Sequence, residues 1–353
     1  MEKSDFLPKE GMRERFLAFC AAPRGRFADE ARDLLDRFRE SADGMTPLMV
    51  RFHLSDITNQ AGELRTLLKR EGFSDTAWAM IGQFPLSDSK IALEAWLTDR
   101  PVTALRFLPG AEPAGTGSFD QMRRAFLDLE KTLPPGCSIA DNLLRTWIYC
   151  RDIDNHYAGL VRARREYFAA IGLTARTHYI ASTGIAGCSE KPSQLVRMDS
   201  LLAGPGTLPE QFEYMRAPEH LSPTHVYGVT FERGTRLAHR DRSHYFLSGT
   251  ASIDKEGRIV HPGNVAAQTE RALDNVAALL ENHQGTLSDL RQAVVYLRDP
   301  SDCDTVEKIL EKRIGNHCVR IMLHAPVCRP GWLVELEGIA VNDCGGRQYP
   351  IFT

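Results

Sequence analysis

The sequence predicts an α/β (α+β) protein of tandem duplicated domains, each a mixed β-sheet with helices packed on one face. Three observations carry this. The chain has 353 residues, more than a single hydrophobic core usually organises. Short apolar runs alternate with amphipathic stretches of helical period. The order of these elements also repeats: LLRTWIY ends at Tyr149 in Y-C-R-D and leads into HYAGLVRARREYFAAIG, while RQAVVY ends at Tyr296 in Y-L-R-D and leads into CDTVEKILEKRIG. A helix candidate precedes each strand, FDQMRRAFLDLE in one half and VAAQTERALDNVAALLENH in the other. Each half then ends on a similar strand, QLVRMDSLLA or WLVELEGIAV. Four elements in register indicate duplicated supersecondary units.

Taken in order, the first half adds a leading strand MVRFHLS, a helix ELRTLLKREG and strands WAMIGQ and KIALEAWL. In the second half, residues 226–231 and 245–248 read as short strands, and SIDKEGRIV as a strand pair turned at Lys255, Glu256 and Gly257. A helix follows from Asn264, placing Val265, Ala272, Val276 and Leu280 near one face. Then come the strand to Leu297, a helix from Cys303, and strands CVRIMLHAPV and WLVELEGIAV. The Pro- and Gly-rich stretch after Ala203 reads as a connection. The expected division is residues 1–205 with an N-terminal helical extension, a linker at 206–222, and residues 223–353.

Hydrophobic residues make up 43% of the chain and charged residues 25%, ordinary values for a globular protein. A net charge of -3 gives no electrostatic basis for a nucleic-acid or anionic-membrane partner. No apolar run approaches the roughly 20 residues of a membrane span, and the first residues lack a signal-peptide core. A cytoplasmic location is the expectation. The eight cysteines contain no C-x-x-C pair, so no metal site is expected. No G-x-S-x-G elbow occurs, and Cys328 with His324 or His317 is left as a weak candidate nucleophile pair.

The strongest chemical constellation is C-R-P-G-W-L-V-E-L-E-G at 328–338. Strand alternation puts Leu333, Glu335 and Glu337 on one face and Trp332, Val334 and Leu336 on the other, against the helices. Two carboxylates then share an open sheet face near Arg329, where crowding can raise one pKa and prepare an acid. A plain solvated strand face is the competing reading. The corresponding positions of the first half hold Arg197 and Asp199. Arg145, Trp147 and Tyr149 share a parity, a candidate clamp for an unsaturated carboxylate or else a cross-strand ion pair. The arginines of the following helix, Arg162, Arg164 and Arg165, read mostly as solvated positions. Ser182, Thr183 and Gly184 begin a small-residue loop whose backbone N–H groups could approach a carboxylate, with a tight turn as the simpler reading. Gly249 and Thr250 repeat that flavour, and Tyr214 in the connecting stretch completes the candidate ligand-contacting set.

The second half resembles the Rid family, small enamine and imine deaminases, through YFLSGTASID, GRIVHPGN, AAQTERALDNVAALL and LVELEGIAV. The whole chain is similar to the two-domain chorismatase branch of that superfamily, through IGQFPLSDSKIALEAW, RTWIY, ASTGIAG and CRPGWLVELEG, spread from about residue 80 to 340. The resemblance implies Rid/chorismate-mutase-like domains. It implies hydrolysis of the enolpyruvyl ether of chorismate, or of a related cyclic carboxylate, to pyruvate and a cyclohexadiene or hydroxybenzoate product, with no cofactor. It marks Glu337 as the catalytic or water-activating acid, Glu335 as its neighbour, and Arg145 and Arg329 as carboxylate holders. Enamine or imine deamination, and non-catalytic binding of an aromatic carboxylate or of a protein, are the other readings. The partner expected is a small-molecule carboxylate. A homotrimer, as in small Rid proteins, and an internally paired monomer both remain open.

Overall fold

The computed structural model describes residues 2–73 and 77–353. Its strands form three sheets, each built on the same βαβαββ pattern. In chain order the first repeat comprises β1 (Lys3–Phe6), β2 (Glu14–Cys20), α1 (Phe27–Ala42), β3 (Thr46–Leu54), α2 (Ile57–Arg70), β4 (Trp78–Gly82) and β6 (Ile91–Thr98), and the two-residue β5 (Phe84–Pro85) between β4 and β6 joins the third sheet. The second contains β7 (Leu105–Leu108), α3 (Ser118–Thr132), the short α4 (Ile139–Asn142), β8 (Leu143–Cys150), α5 (Ile153–Ala170), β9 (Ala181–Ala186) and β10 (Val196–Ala203). The third contains β11 (Phe212–Tyr214), β12 (Gly234–Ala238), β13 (Ser243–Ala251), α6 (Val265–Glu281), β14 (Leu290–Leu297), α7 (Cys303–Ile314), β15 (Val319–His324) and β16 (Val334–Asn342). The sheet orders are β1-β2-β6-β3-β4, β7-β10-β8-β9 and β11-β12-β13-β16-β14-β15-β5.

Mixed sheets with helices on one face hold throughout. Sheet topology counts three repeats, however, where self-similarity pointed to two: residues 1–205 carry two of them. In every repeat the strand before the second helix runs parallel to the strand after it, as β3 with β4, β8 with β9 and β14 with β15. The last strand lies antiparallel between the first and second strands of the pattern, as β6 between β2 and β3, β10 between β7 and β8, and β16 between β13 and β14. The strand ends align as H-L-S-D at 53–56, Y-C-R-D at 149–152 and Y-L-R-D at 296–299. The N-terminus is not a helical extension but two strands and a helix of the first repeat. The expected linker contributes β11 to the third sheet, and residues 226–231 form no strand, since a 3-10 turn covers Thr224–Tyr227.

Each sheet has one face under its own helices. Leu17, Phe19, Val50, Phe52 and Leu93 pack on α1 and α2, while Ile148, Cys150, Val196 and Met198 pack on α3 and α5. The opposite faces meet at the centre, where Phe16, Trp96, Trp147, Tyr149, Phe246 and Tyr296 join one large core. Burying that many aromatic and aliphatic side chains, at roughly 25 cal/mol per Å2 of apolar surface, is what holds the sheets together. Short pairings stitch the seams: β5 on β15, Gly82 with Cys188, Ala181 with Glu232, and Ile185 with Val327.

Register defines equivalent positions across the repeats. Arg51 faces Glu94, Trp147 faces Asp199, and Val294 faces Glu337. One step on, His53 faces Ala92, Tyr149 faces Arg197, and Tyr296 faces Glu335. Arg197 and Asp199 therefore occupy the places of Glu335 and Glu337, as the sequence match implied.

Candidate active site

A narrow cleft opens between the second and third repeats. Helix α5 supplies Tyr157 and Arg164, β9 supplies Ser182 and Gly184, and β13 supplies Gly249 and Ala251. Tyr227, Val229 and Phe231 form one wall; Cys328, Arg329 and Trp332, from the loop before β16, form another. Glu335, on β16, closes the floor.

Three guanidinium groups reach this space, and their bonding differs. Arg164 is 2% exposed; its Nη1 donates to Ser182 Oγ at 3.2 Å, and among the described residues Nε and Nη2 have no acceptor. Arg233 donates from Nη2 to the Ser222 carbonyl at 2.9 Å, leaving Nε without an acceptor. Its charge lies over Tyr227 and Phe231, 5.3 and 5.5 Å from the ring centres. Arg329 is stacked on Tyr227 and Trp332 and donates to the Tyr227 carbonyl at 3.1 Å. A buried cation with open donors is costly unless an anion completes it. Arg164 is the clearest such vacancy for a carboxylate.

Glu335 supplies the opposite chemistry. Burial, reinforced by the negative charge of Glu337, pushes its carboxyl up to about 8, against the opposing pull of Arg233 and Arg145. No arginine among the described residues forms an ion pair with it. The Cys328 thiol is pushed up to about 12 by burial and by Glu335, so it is a neutral wall group. His317 bonds the Leu287 carbonyl and His324 lines a different cleft, so no Cys/His pair forms around Cys328.

Glu337 points to the same side of β16 but into the centre of the molecule. It accepts from Arg145 Nη2 at 2.6 Å, Trp147 Nε1 at 2.8 Å and Arg51 Nη2 at 3.3 Å. Arg51 also donates to the Tyr149 hydroxyl at 2.8 Å and pairs with Glu94 at 2.7 Å. Burial would raise the Glu94 carboxyl, but Arg51 and His53 outweigh it and hold it below the usual range. Arg145 bonds the Leu247 carbonyl and donates to Thr183 Oγ1 at 2.8 Å. That oxygen also accepts from the Gly249 N–H at 2.9 Å, so the central network ends at the floor of the cleft.

Of the residues singled out from sequence, Glu335, Arg329, Ser182, Gly184 and Gly249 line the cleft. Glu337, Arg145 and Tyr149 instead belong to the buried central network, and the face carrying both glutamates is covered, at 5% and 2% exposure, rather than open. Ser182, Thr183 and Gly184 lie on β9, paired with β8, not in a loop. Thr183 sits behind the cleft wall, Thr250 bonds the Ser248 carbonyl, and Tyr214 stacks on His178 outside the cleft. Arg164 and Arg233 were not anticipated. Arg164 carried a signal: it falls on the buried stripe of α5 with Leu160, Val161, Tyr167 and Phe168, where a solvated arginine has no place. Arg233 follows the connecting stretch and carried none.

Residues 236–342 match the family described as Endoribonuclease L-PSP. The chain carries a Rid-type domain. Its third repeat, from β12 through β16, is that domain. Two chorismatases are similar to the chain. One, from Streptomyces hygroscopicus, is 36% identical over 132 residues, covering 34% of this chain and 38% of the relative. The other, from Streptomyces rapamycinicus, is 28% identical over 225 residues, covering 56% and 64%. The matches thus span less than two thirds of either relative. A chorismatase crystal structure superposes over 94% of this chain and 98% of its own, with a TM-score of 0.65 at 22% identity, so the three-sheet fold is shared across nearly the whole molecule. Among the described residues, no three His, Cys, Asp or Glu side chains gather as a metal site, and no helix is long and apolar enough to cross a membrane.

Proposed function

We propose that the cleft between the second and third repeats hydrolyses the enolpyruvyl ether of chorismate, or of a closely related cyclic dicarboxylate, with Glu335 as the general acid. The observation that carries this reading is the pairing of an acid with a raised pKa and a buried arginine with open donors, Glu335 and Arg164, in one cleft. The similarity to two chorismatases supports it.

Chorismate carries two carboxylates joined by a partly unsaturated ring and an ether. Arg164 and Arg233 offer two separated cations, and Tyr227, Phe231 and Trp332 offer apolar walls for the ring. Glu335, protonated below about pH 8, donates its proton to the enol-ether methylene. The resulting oxocarbenium ion is stabilised by the carboxylate left behind. Water adds to the cationic carbon and returns a proton to Glu335. The hemiketal then collapses with cleavage of its C–O bond to the ring, giving pyruvate and a ring diol. One water is consumed, and no redox partner is required.

Chorismate incubated with the protein and a coupled pyruvate readout tests this. Pyruvate formed in proportion to enzyme, and lost in Glu335→Gln, is the expected result. Ammonia released from an imino acid without pyruvate from chorismate would select the deaminase chemistry of the wider Rid family. Binding of an aromatic carboxylate without turnover would leave a binding module.

A further inference from the structure

Behind the wall formed by residues 222–231 lies a second, larger chamber of about 340 Å3. One side of this wall, Tyr227, Val229 and Phe231, faces the cleft; the other, from Ser222 to His225, faces the chamber. Arg233 lines both spaces. It is the partition between them.

The chamber has the features of a built site. Tyr179, Leu221, Pro218 and Pro223 give it flat apolar sides. Two of its buried polar groups lack partners among the described residues: Ser222 Oγ, at 1% exposure, and Arg233 Nε. Arg216, with its side chain 63% exposed, stands at the mouth 4.0 Å from Glu232. Glu232 accepts from the Tyr179 N–H at 2.9 Å. Burial raises its carboxyl, against the opposing pull of the Tyr179 N–H, Arg216 and Arg233, and its oxygens can bond a ligand hydroxyl.

We propose that this chamber binds a small hydroxylated ring carboxylate, the product class of the neighbouring cleft, and that its occupancy weakens ligand binding in the cleft by drawing on the shared Arg233. The ligand class rests on the reading of the cleft as a cyclic-carboxylate site; the existence of the chamber site does not. Arg216 and Arg233 hold the carboxylate, the apolar sides take the ring, and Ser222 with Glu232 takes the hydroxyl. Because one guanidinium serves both spaces, each ligand lowers the affinity for the other by the same factor.

Calorimetric titration with meta-hydroxybenzoate tests the site directly, with pyruvate as an acyclic control. The substitutions are Ala175→Trp, which fills the mouth, and Arg216→Ala, both at exposed positions, with thermal melts to confirm folding. The unmodified protein is expected to show two sites. Either substitution weakens one of them by about ten- to hundredfold, the loss of a charge-assisted contact or of the space itself, and leaves the other. Arg164→Ala weakens only the remaining one. A single site that Arg164→Ala abolishes and both chamber substitutions spare overturns the proposal, as does the absence of any binding. Two sites in a protein that yields no pyruvate from chorismate would sink the catalytic reading and keep the chamber. Turnover with one site does the reverse.

Discussion

Glu335 and Glu337 extend from the same face of β16 into opposite electrostatic settings: Glu337 is held by Arg145, Trp147 and Arg51, while Glu335 faces the cleft with its carboxyl pushed up to about 8. One is a neutralised anchor and the other an acid. Glu335→Gln is expected to lower turnover by roughly 10²-fold or more with little change in KM, the scale of lost general acid catalysis. Glu337→Gln leaves Arg145 and Arg51 short of a buried counter-charge, and is expected to cost about 2–4 kcal/mol of stability. Denaturant unfolding beside steady-state kinetics separates the two. A stable Glu337→Gln protein with abolished turnover would return the acid role to Glu337.

Activity should report the ionisation of Glu335. A protonated acid is required, so turnover is expected to be flat below about pH 8 and to fall above it. The charged and titratable groups around Glu335 are Glu337 on its own strand, Arg145 from β8, Arg233 from the approach to β12 and Cys328 from the preceding loop, with Tyr296 opposite it on β14. Removing the negative charge at Glu337 lowers the Glu335 pKa, so in Glu337→Gln the limb moves to lower pH. Stability has its own sign. An acid raised in the folded state binds more protons folded than unfolded, so it erodes stability as pH rises from about 4.5 to about 8. Glu335→Gln removes that slope, and comparing unfolding at pH 5 and pH 8 measures it.

Arg164 trades stability for binding. Its open donors await an anion, so Arg164→Met is expected to raise KM for a carboxylate substrate by about ten- to hundredfold. The same change removes a buried charge without a counter-ion, and is expected to stabilise the free protein by about 1–2 kcal/mol. Arg164→Lys should not restore KM, because an ammonium cannot present the guanidinium fork. Unchanged KM in Arg164→Met, with wild-type folding, would remove Arg164 from the site.

Periodicity made most of the elements legible. The strands around Tyr149 and Tyr296, and the helices after them, were read in place because their apolar residues alternate or recur every third or fourth position. The first repeat was hidden for local reasons. Its equivalent of those tyrosines is His53, and the half-turn that follows carries Ser55 in place of arginine. The site was harder, since it forms where faces of different sheets meet. Sequence parity placed Glu335 and Glu337 together but said nothing of which arginine would reach which. Arg145 on β8 reaches Glu337, 192 residues away, and only tertiary packing brings them together. Ser182 and Thr183 read as a loop because small hydroxyl residues favour turns, yet here they lie on β9, where the Ser182 hydroxyl accepts from Thr146 of the same sheet and the Thr183 hydroxyl accepts from the Gly249 N–H across the seam.

Gly249 gives the most local test of where the acid must sit. It lies on β13, in extended backbone that any residue adopts, so glycine is not needed there for conformation. Space is the constraint: a Cβ at this position would come 2.2 Å from Glu335 Oε1 and 3.0 Å from Thr183 Cγ2. The carboxylate is the movable partner, since the Thr183 hydroxyl is tied to Arg145 and to the Gly249 N–H. Gly249→Ala is therefore expected to push the Glu335 carboxyl toward the open part of the cleft. Greater solvation lowers its pKa, so the high-pH limb of activity moves down while turnover falls about tenfold or more, the cost of misplacing a reacting group. Overpacking of this kind costs about 1–3 kcal/mol, and a melt shows whether the protein remains folded. A folded Gly249→Ala protein with an unshifted limb and full turnover would show that Glu335 does not work from the position its neighbours leave it.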